Sequence, residues 1–433
     1  MLSMLKIIFE YWNHTYTEEI NFWNRILYLK EFTKKNIRIL LTINYARLKK
    51  TRKYKLVELI SELDCKIEHL FSLKNRLNFI NGPNLYLSHE NNFKYLEGNS
   101  PNINIWMVYN CTAYSQSSAI SSISKVYNNF IYKMQPRHDL KNLTGQNIDG
   151  FLSKNITFRI LKTSNDDGTS IYIHLLNEHS NNYYHWLFEV MPKYIKIFEI
   201  ISKSETLNKY KYTLLLDCDL PSQFYEILQL YVTMDYDIRI VEKFESIKCN
   251  KMIYCTDFWT SLDNTRFKPN IMKEFFVDRY AVSLIKNKLP QNCFSHVQPY
   301  RKIYFERKIS QARALDNVNE LKRILMIEGF EVIQPEKLTF MEQVRLLNEA
   351  KVIIGVSGAV FSNIIFMQPK THAIIFSPKT IAANYYVFQP MADVAKVNLI
   401  HILTNNASIT ESIHSSASIN IDAVQTVLRS LED

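Results

Sequence analysis

Apolar and polar positions alternate along the middle of the chain in a way that predicts strands and helices in turn. The apolar run IYIHLL at 171–176 predicts a strand, and NNYYHWLFEVMPKYIKIFEII at 181–201 predicts a helix. A second strand is predicted at YTLLLD (212–217), followed by a helix from Ser222. Short apolar strands that alternate with helices are typical of a βαβ layer with a mostly parallel sheet.

A second stretch repeats this alternation after residues 286–300, whose looser composition predicts an interdomain linker. Here we expect strands at 301–307, 330–335, 351–356 and 372–378, and helices at 317–329, 339–350 and 357–367. The predicted fold class is therefore α/β, with two α/β units in tandem.

The N-terminal region has a different pattern, which predicts helices up to about residue 80. Residues 30–55 contain ten Lys or Arg and one acid, Glu31. Such a helix suits an anionic lipid surface, where each cation contributes about 1 kcal/mol, but a solvated charged face explains the pattern equally well. The next run, 55–77, has apolar residues at helical spacing and predicts a packing helix. The polar, Asn-rich segment 89–104 predicts a domain boundary.

Composition narrows the class of protein. The 433 residues are 47% hydrophobic and 13% aromatic, which suits two or three folded domains and excludes a disordered chain. The net charge of +10 suits nucleic acid, an anionic membrane or an anionic substrate as partner, although no nucleic-acid-binding module is recognisable. The six cysteines include no CxxC pair, which argues against a zinc site and for a reduced, cytosolic compartment.

The distribution of apolar residues predicts neither a signal peptide nor a membrane-spanning helix. The first twelve residues are interrupted by Lys6 and Glu10 and contain no small-residue cleavage site, so we do not predict a signal peptide. No apolar run approaches the roughly 18 to 20 residues of a membrane-spanning helix.

The clearest candidate site follows the predicted strand 351–356, where Ser357, Gly358 and Ala359 lead directly into a helix. The first amides of a helix lack intrahelical acceptors and carry partial positive charge, so they favour an anion. Small residues allow a phosphate to approach the backbone closely. Ser357 as a simple helix cap is the structural alternative.

Basic residues at the end of the strand 301–307 support the anion site. Arg307 ends the strand, and Lys308 and Arg313 follow in the loop. Guanidinium groups match phosphate oxygens bidentately. Because ligands of open α/β sheets lie beyond the carboxyl ends of the strands, these residues and the helix start are expected to converge on a diphosphate.

Asp217 and Asp219 form a DxD motif after the strand 212–217. In one large class of sugar-nucleotide enzymes such a pair holds a divalent metal against the diphosphate, since hard cations prefer carboxylate oxygens. The motif is short, and Pro221 follows at once, so a simple turn before a helix is the favoured interpretation.

His185 and Glu189 are four residues apart among aromatic neighbours, which places them on one face of a helix. A buried Glu costs several kcal/mol unless it is paired, and a desolvated carboxylate suits a general base. A satisfied core histidine is the structural alternative. Pro192 is expected to bend or end the helix, which would leave the pair near an irregular, exposed end.

Together these motifs resemble the glycosyltransferase family 61 proteins of the bacterial capsular polysaccharide biosynthesis type. The resemblance covers about residues 170 to 405 and rests on NNYYHWLFEVMPKY, IYFERKISQARAL, NVNELKRIL and GFEVIQPEKLTFMEQVRLLNEAKVIIGVSGAVFSNIIFM. It implies a GT-B-like arrangement of two Rossmann-type domains, here with a helical N-terminal extension. It also implies inverting transfer without an obligatory metal, which counts against the DxD motif as a metal site.

The resemblance also assigns roles to residues. Glu189 occupies the family's acidic position and would act as the base, with His185 beside it. Arg307 and Arg313 match the family's basic positions. The predicted donor-binding residues are Arg307, Lys308, Arg313, Ser357, Gly358, Ala359 and Asn363.

Two departures bear on the donor. Relatives usually carry His-Gly-Ala where this chain has Ser357-Gly358-Ala359. They also tend to place a Glu, of the kind that commonly holds the ribose, where Ile375 or Phe376 stands here. Both departures leave room for an altered or inactive enzyme.

The predicted domains are a basic helical region (1–100), an acceptor domain (101–295), a sugar-nucleotide domain (296–410) and a C-terminal helix (411–433). The predicted function is inverting transfer from a nucleotide sugar to a glycan or lipid-linked glycan during synthesis of a bacterial surface polysaccharide. We expect no cofactor, no metal, no nucleic acid and a cytoplasmic enzyme at the inner face of the membrane, with homo-oligomerisation as the other use of the basic helices. The alternative is a non-catalytic sugar-nucleotide or glycan-binding protein of the same fold.

Overall fold

The computed structural model describes most of the chain beyond residue 50. The described residues are 51–57, 59–74, 76–86, 94–128, 148–152, 155–260, 276–307, 315–378, 385–405 and 417–431. Residues 53–433 form one compact unit, which contains every described residue except Thr51 and Arg52.

The described residues form twenty-two strands. The strands before residue 153 are β1 Thr51–Val57, β2 Ile67–Leu73, β3 Leu77–Ile80, β4 Asn84–Tyr86, β5 Leu96–Asn99, β6 Ile103–Tyr114, β7 Ile120–Ser121, β8 Lys125–Tyr127 and β9 Ile148–Leu152. The later strands are β10 Asn155–Arg159, β11 Lys162–Asn165, β12 Ile171–His174, β13 Tyr212–Asp217, β14 Asp237–Val241, β15 Glu245–Cys255, β16 Trp259–Thr260, β17 Phe276–Val277, β18 Arg301–Phe305, β19 Glu331–Ile333, β20 Ala350–Val356, β21 His372–Ser377 and β22 Asn398–Leu403.

Helices connect the later strands. A helical segment runs through an α-helical turn Tyr183–His185, a π-helical turn Trp186–Val190 and the α-helix α1 Met191–Lys203. The other α-helices are α2 Ser222–Tyr231, α3 Arg279–Lys288, α4 Val318–Ile327, α5 Phe340–Asn348, α6 Gln389–Ala395 and α7 Ile421–Arg429. Five 3₁₀ helices cover Ile60–Glu62, Leu207–Lys209, Gln291–Cys293, Pro335–Lys337 and Ala359–Phe366.

The first sheet has twelve strands in the order β14-β13-β12-β15-β6-β7-β8-β1-β10-β9, with β11 also paired to β15 and β2 to β6. Its β14-β13-β12-β15 portion is parallel, and β15 then pairs with β6 in the antiparallel direction. The strand order reverses at β12, because β13 lies on one side of it and β15 on the other. Such a reversal is a topological switch point, where ligands of α/β folds commonly bind.

The second sheet has six strands in the order β19-β18-β20-β21-β22-β4, and every pair in it is parallel. Its strands β18 to β22 follow a doubly wound order, with the switch point between β18 and β20. Parallel sheets covered on both faces have nearly continuous apolar strands, and β20 and β21 are buried along almost their whole length. The predicted α/β class is therefore confirmed.

One hydrophobic core joins the helices that lie on both sheets. It contains residues of β12 and β13 from the first sheet, of β18 and β20 from the second, and of the helices around them; members include Ile173, Trp186, Leu214, Val282, Ile303, Ile353, Phe361 and Met391. A second cluster covers the other face of the second sheet with α7, whose buried residues are Ala423, Val424, Val427 and Leu428. The two sheets of the compact unit thus pack against one shared set of helices.

The prediction of a packing helix at 55–77 is wrong. This run ends β1, continues through the 3₁₀ turn Ile60–Glu62 and forms β2, which pairs with the central strand β6. Local apolar spacing is ambiguous between helix and strand, and pairing with a distant strand decided the outcome. Residues 51–55 of the predicted basic helix are likewise strand, and its remainder, 30–50, lies outside the described residues.

The chain before residue 100 also contributes to the second sheet, which the sequence did not predict. Strand β4 pairs with β22 in parallel, with Leu85 opposite His401. It thereby extends a sheet whose other strands lie more than two hundred residues later.

Candidate active site

A cleft of about 410 Å³ opens at the switch point of the second sheet. One wall consists of residues that follow β18 and β20, together with the start of α5. The opposite wall comes from the helices on the first sheet; its lining residues are Asn181, Tyr183, Pro221, Gln223 and Phe224. The cleft therefore lies where α/β folds bind ligands and is shared by both parts of the compact unit.

Arg307 lines this cleft two residues after β18. Its guanidinium is half-buried, and Nη1 donates a hydrogen bond to the carbonyl oxygen of Ser357 at 3.3 Å. Burial lowers the pKa of Arg307 below its usual range, yet the group stays charged at neutral pH. Within the described residues the guanidinium makes no ion pair. A charged, partly desolvated guanidinium of this kind suits an anionic ligand.

The chain leaving β20 supplies the neighbouring surface. Val356, Gly358, Ala359 and Val360 line the cleft. The helix start predicted there is a 3₁₀ helix, Ala359–Phe366, whose N-cap is Gly358 without a side-chain cap. A Cβ on Gly358 would lie 3.6 Å from Nη1 of Arg307, so the glycine leaves the space beside the guanidinium open.

Gly358 occupies the N-cap, so the structural alternative for Ser357, a simple helix cap, is wrong. Its amide donates to the carbonyl oxygen of Phe376 at 3.0 Å, and its own carbonyl accepts from Arg307. The backbone of Ser357 thus fixes the guanidinium. Lys308 and Arg313, the other predicted basic residues, lie outside the described residues.

Asn363 is fully buried behind the cleft. Its side-chain oxygen accepts from the hydroxyl of Tyr183 at 2.5 Å, and its side-chain nitrogen donates to Oε1 of Gln343 at 2.9 Å. Asn363 thus bridges two side chains that line the cleft.

His185 and Glu189 form a close pair on the helical segment that begins at Tyr183. Nδ1 of His185 lies 2.8 Å from Oε1 of Glu189, and the two residues are only 4% and 8% exposed. The ring of His179 lies beside that of His185, with 4.9 Å between ring centroids. A hydrogen-bonded imidazole and carboxylate can accept and relay a proton.

The helix does not end at this pair, and the pair is not exposed, contrary to the expectation from Pro192. A π-helical turn, Trp186–Val190, contains Glu189, and α1 then continues to Lys203. Pro192 directly follows the π turn, in the first turn of α1, and lacks the N–H that would otherwise bond to a carbonyl of the preceding turn. Single π turns inside helices are frequent at functional sites.

Both carboxylates of the DxD motif, those of Asp217 and Asp219, bond to other groups of the protein. Asp217 is 1% exposed, and its carboxylate accepts from the amide of Gln116 at 2.5 Å, the amide of Asn177 at 3.0 Å and the hydroxyl of Ser180 at 2.7 Å. Burial raises the pKa of Asp217 to about 6. Asp219 forms a surface ion pair with Lys243 at 2.5 Å. The described residues contain no group of three His, Cys, Asp or Glu side chains placed to hold a metal ion.

A buried polar cluster lies at the switch point of the first sheet, and the sequence did not predict it. Lys193 and Asp257 form a buried ion pair. Burial alone would lower the pKa of Lys193, but Asp257 more than offsets this and the pKa lies above its usual value. Glu178 accepts from the amide and hydroxyl of Ser118, both at 3.0 Å, and burial raises its pKa to about 7. The spacing His185, Glu189, Lys193 was the signal in the sequence, since steps of four continue one helix face.

The cysteines and helices add two findings. All six cysteines are free. No helix in the described part of the chain is long and apolar enough to cross a membrane.

Comparison with known proteins gives one family match. The family model described as Glycosyltransferase 61 matches residues 183–374. The match begins at Tyr183, includes His185, Glu189 and Arg307, and ends within β21. No curated protein matches the chain in sequence. The chain therefore contains a region similar to glycosyltransferase family 61, and this match supports a glycosyltransferase enzyme.

Proposed function

We propose that the protein is an inverting glycosyltransferase that moves a sugar from a nucleotide-sugar donor to a glycan or lipid-linked glycan. The observation that carries the proposal is the shared cleft. Arg307 and the start of the 3₁₀ helix Ala359–Phe366 form its anion-binding wall, and Tyr183, two residues before His185, lies on the other wall. In the proposal the diphosphate binds in this cleft, and the proton acceptor lies on the helical segment that begins at Tyr183, although the His185–Glu189 pair does not itself line the cleft.

In the proposed step, the acceptor hydroxyl oxygen attacks the anomeric carbon of the donor sugar on the face opposite the diphosphate. The bond from the anomeric carbon to the diphosphate oxygen breaks, and the diphosphate leaves with the electron pair. Glu189 takes the proton of the acceptor hydroxyl, and His185 holds its carboxylate. Arg307 stabilises the charge that develops on the leaving diphosphate.

The proposed reaction is independent of a bound metal. A metal held by the DxD motif would need Asp217 and Asp219 to face the diphosphate. Asp217 is occupied by three hydrogen-bond donors, and Asp219 by Lys243. The positive charge at the diphosphate would come from Arg307, together with Lys308 and Arg313.

The acceptor would bind on the side of the first sheet. The cluster of Glu178, Lys193 and Asp257 lies at that sheet's switch point, and its Lys193 belongs to the same helical segment as the His185–Glu189 pair. Carboxylates and ammonium groups are good partners for sugar hydroxyls. This division of donor and acceptor between two sheets corresponds to a GT-B-like arrangement.

The proposed setting is synthesis of a bacterial capsule or lipopolysaccharide at the inner face of the cell membrane. The support is the density of cations in residues 30–55, which suits an anionic surface that also holds lipid-linked glycans. Self-association is the alternative use of this segment.

A non-catalytic sugar-nucleotide-binding protein is the second candidate. The two departures favour it: Ser357 stands where the resemblance implies a histidine, and Ile375 and Phe376, where it implies a Glu, carry no carboxylate for a ribose. Glu336 lines the cleft and is exposed, so a carboxylate is nevertheless available there.

A donor screen followed by a transfer assay tests the proposal. UDP, GDP, CMP and dTDP sugars are each added to the full chain, and thermal unfolding is recorded, since specific binding stabilises the folded state. We expect one donor class to raise the melting temperature and to release its nucleotide when a glycan acceptor is added, with inversion at the anomeric carbon seen by NMR. Stabilisation without transfer would favour the binding protein, and retention of configuration would contradict the proposed step.

A further inference from the structure

A continuous hydrogen-bond chain runs from the loop on one wall of the cleft to the helical turn that carries the His185–Glu189 pair. Gln343 donates from Nε2 to the carbonyl oxygens of Pro335 and Leu338, at 3.1 and 3.2 Å. Its Oε1 accepts from Asn363 at 2.9 Å, and Oδ1 of Asn363 accepts from the hydroxyl of Tyr183 at 2.5 Å. We call these three side chains the Gln343–Asn363–Tyr183 chain.

Both ends of this chain are placed to affect the reaction. Pro335 and Gln343 line the cleft at one end, and Tyr183 lines it at the other. Tyr183 is the first residue of the helical turn that ends at His185, and Asn182 caps that turn by accepting from the amide of Tyr184. A shift of the Tyr183 ring therefore moves the start of the segment that carries the catalytic pair.

Asn363, the middle residue of the Gln343–Asn363–Tyr183 chain, is held in place on both sides, so it can transmit a displacement from one end to the other. Asn363 is fully buried, and its side chain is bonded at both ends. The start of α5, which carries Gln343, is fixed by Glu226 of α2, whose two carboxylate oxygens accept from the amides of Phe340 and Met341 at 3.1 and 3.2 Å. Packed cores and networks with discrete arrangements carry coupling between sites in proteins.

We propose that the Gln343–Asn363–Tyr183 chain couples occupancy of the donor cleft to the placement of the His185–Glu189 pair. Tyr183, Asn363 and Gln343 are then positioning residues, which act through His185 and Glu189 on the reacting atoms. The inference rests on the proposed function, because it takes the cleft as the donor site and the pair as the catalytic centre.

Kinetics of three variants test the coupling. Tyr183→Phe removes the hydroxyl that donates to Asn363. Gln343→Glu keeps an oxygen that accepts from Asn363 but loses the N–H groups that donate to the carbonyl oxygens of Pro335 and Leu338. Tyr183→Phe loses one hydrogen bond and should lower kcat about five- to tenfold. Gln343→Glu loses two and should lower kcat at least as far, and the double variant should cost little more than Gln343→Glu alone. Tyr194→Phe is the matched control, because its hydroxyl bonds the backbone oxygen of Leu228 away from the cleft. It should keep the wild-type kcat.

Hydrogen exchange provides a readout that does not depend on turnover. A mixture of UDP, GDP, CMP and dTDP is added to the full chain, and amide exchange is followed by mass spectrometry. In the wild type we expect slower exchange both at 356–366 and at 183–190. In Tyr183→Phe the protection at 356–366 should persist, and the protection at 183–190 should be lost.

The outcomes separate the inference from the proposed function. No protection at 356–366 in the wild type would overturn the donor site, and the coupling with it. Protection at 356–366 without protection at 183–190, or protection of 183–190 that survives in Tyr183→Phe, would overturn the coupling alone. A Tyr183→Phe enzyme whose kcat matches that of Tyr194→Phe would do the same.

Discussion

Removal of the Arg307 side chain is the change that most directly tests the anion-binding wall. The guanidinium is half-buried at the carboxyl end of β18, is held by the carbonyl of Ser357, and lies beside the open space at Gly358. Hydrogen bonds to a charged group contribute about 1.5 to 3 kcal/mol each. Arg307→Ala should therefore raise the dissociation constant of the nucleoside diphosphate about 10- to 150-fold.

Two further variants make this measurement specific. Arg307→Lys keeps the charge and loses the bidentate geometry, so its affinity should lie between those of the wild type and Arg307→Ala. Arg301 begins the same strand and pairs with Glu331 and Glu349, so Arg301→Ala removes an equal charge outside the cleft. Calorimetry with UDP, GDP, CMP and dTDP should show unchanged affinity for Arg301→Ala. Wild-type affinity in Arg307→Ala would refute the position of the diphosphate.

Three other predictions follow from the structure and the sequence. Asp217→Asn should destabilise the fold, because all three partners of Asp217 are hydrogen-bond donors and an amide nitrogen cannot accept from them. EDTA should leave turnover of the wild type largely intact. Complete loss of turnover in EDTA that Mn²⁺ restores would revive the DxD motif as a metal site. Burial raises the pKa of Glu178 from 4.5 to about 7, so the folded protein binds the carboxyl proton more tightly than the unfolded chain does, and the stability that this proton contributes is lost as the pH rises from 4.5 to 7. In thermal melts, the stability of the wild type relative to Glu178→Gln should therefore fall between pH 5 and pH 7. A difference that stays constant over this range would contradict the raised pKa. Sedimentation with anionic liposomes should show that the protein binds them and that binding weakens as the salt concentration rises. Binding should also fall when Gln replaces Lys49, Lys50, Arg52 and Lys53. A protein that does not bind anionic liposomes even at low salt would contradict a membrane role.

The α/β rhythm was predictable because each strand of the second unit is a short, continuous apolar run bounded by polar segments. Strands β18 and β21 fall within the predicted runs, β20 begins one residue before its predicted run, and α4 and α5 fall within predicted helices. Parallel strands buried on both faces produce this pattern from local sequence alone. The position of Arg307 after a strand was predictable for the same reason.

The remaining features depend on partners far along the chain. The run 55–77 became strand because β2 pairs with β6, and local spacing does not contain that information. The role of Asp217 is set by Gln116, about a hundred residues earlier, and that of Tyr183 by Asn363, 180 residues later. Side-chain partners at such distances follow from the tertiary fold, which explains why the DxD motif was ambiguous and Tyr183 was not singled out.

Turnover by Glu189→Gln is the measurement that tests the central claim most directly. The substitution keeps the size of the side chain and a hydrogen-bonding partner for His185 but removes the proton acceptor. Glu199→Gln, on the same helix, breaks ion pairs with Lys196 and Lys203 and serves as the control. We predict that Glu189→Gln binds the donor normally and loses roughly 10² to 10⁴ in turnover, while Glu199→Gln keeps it. Near-normal turnover in Glu189→Gln would contradict the assignment of Glu189 as the base.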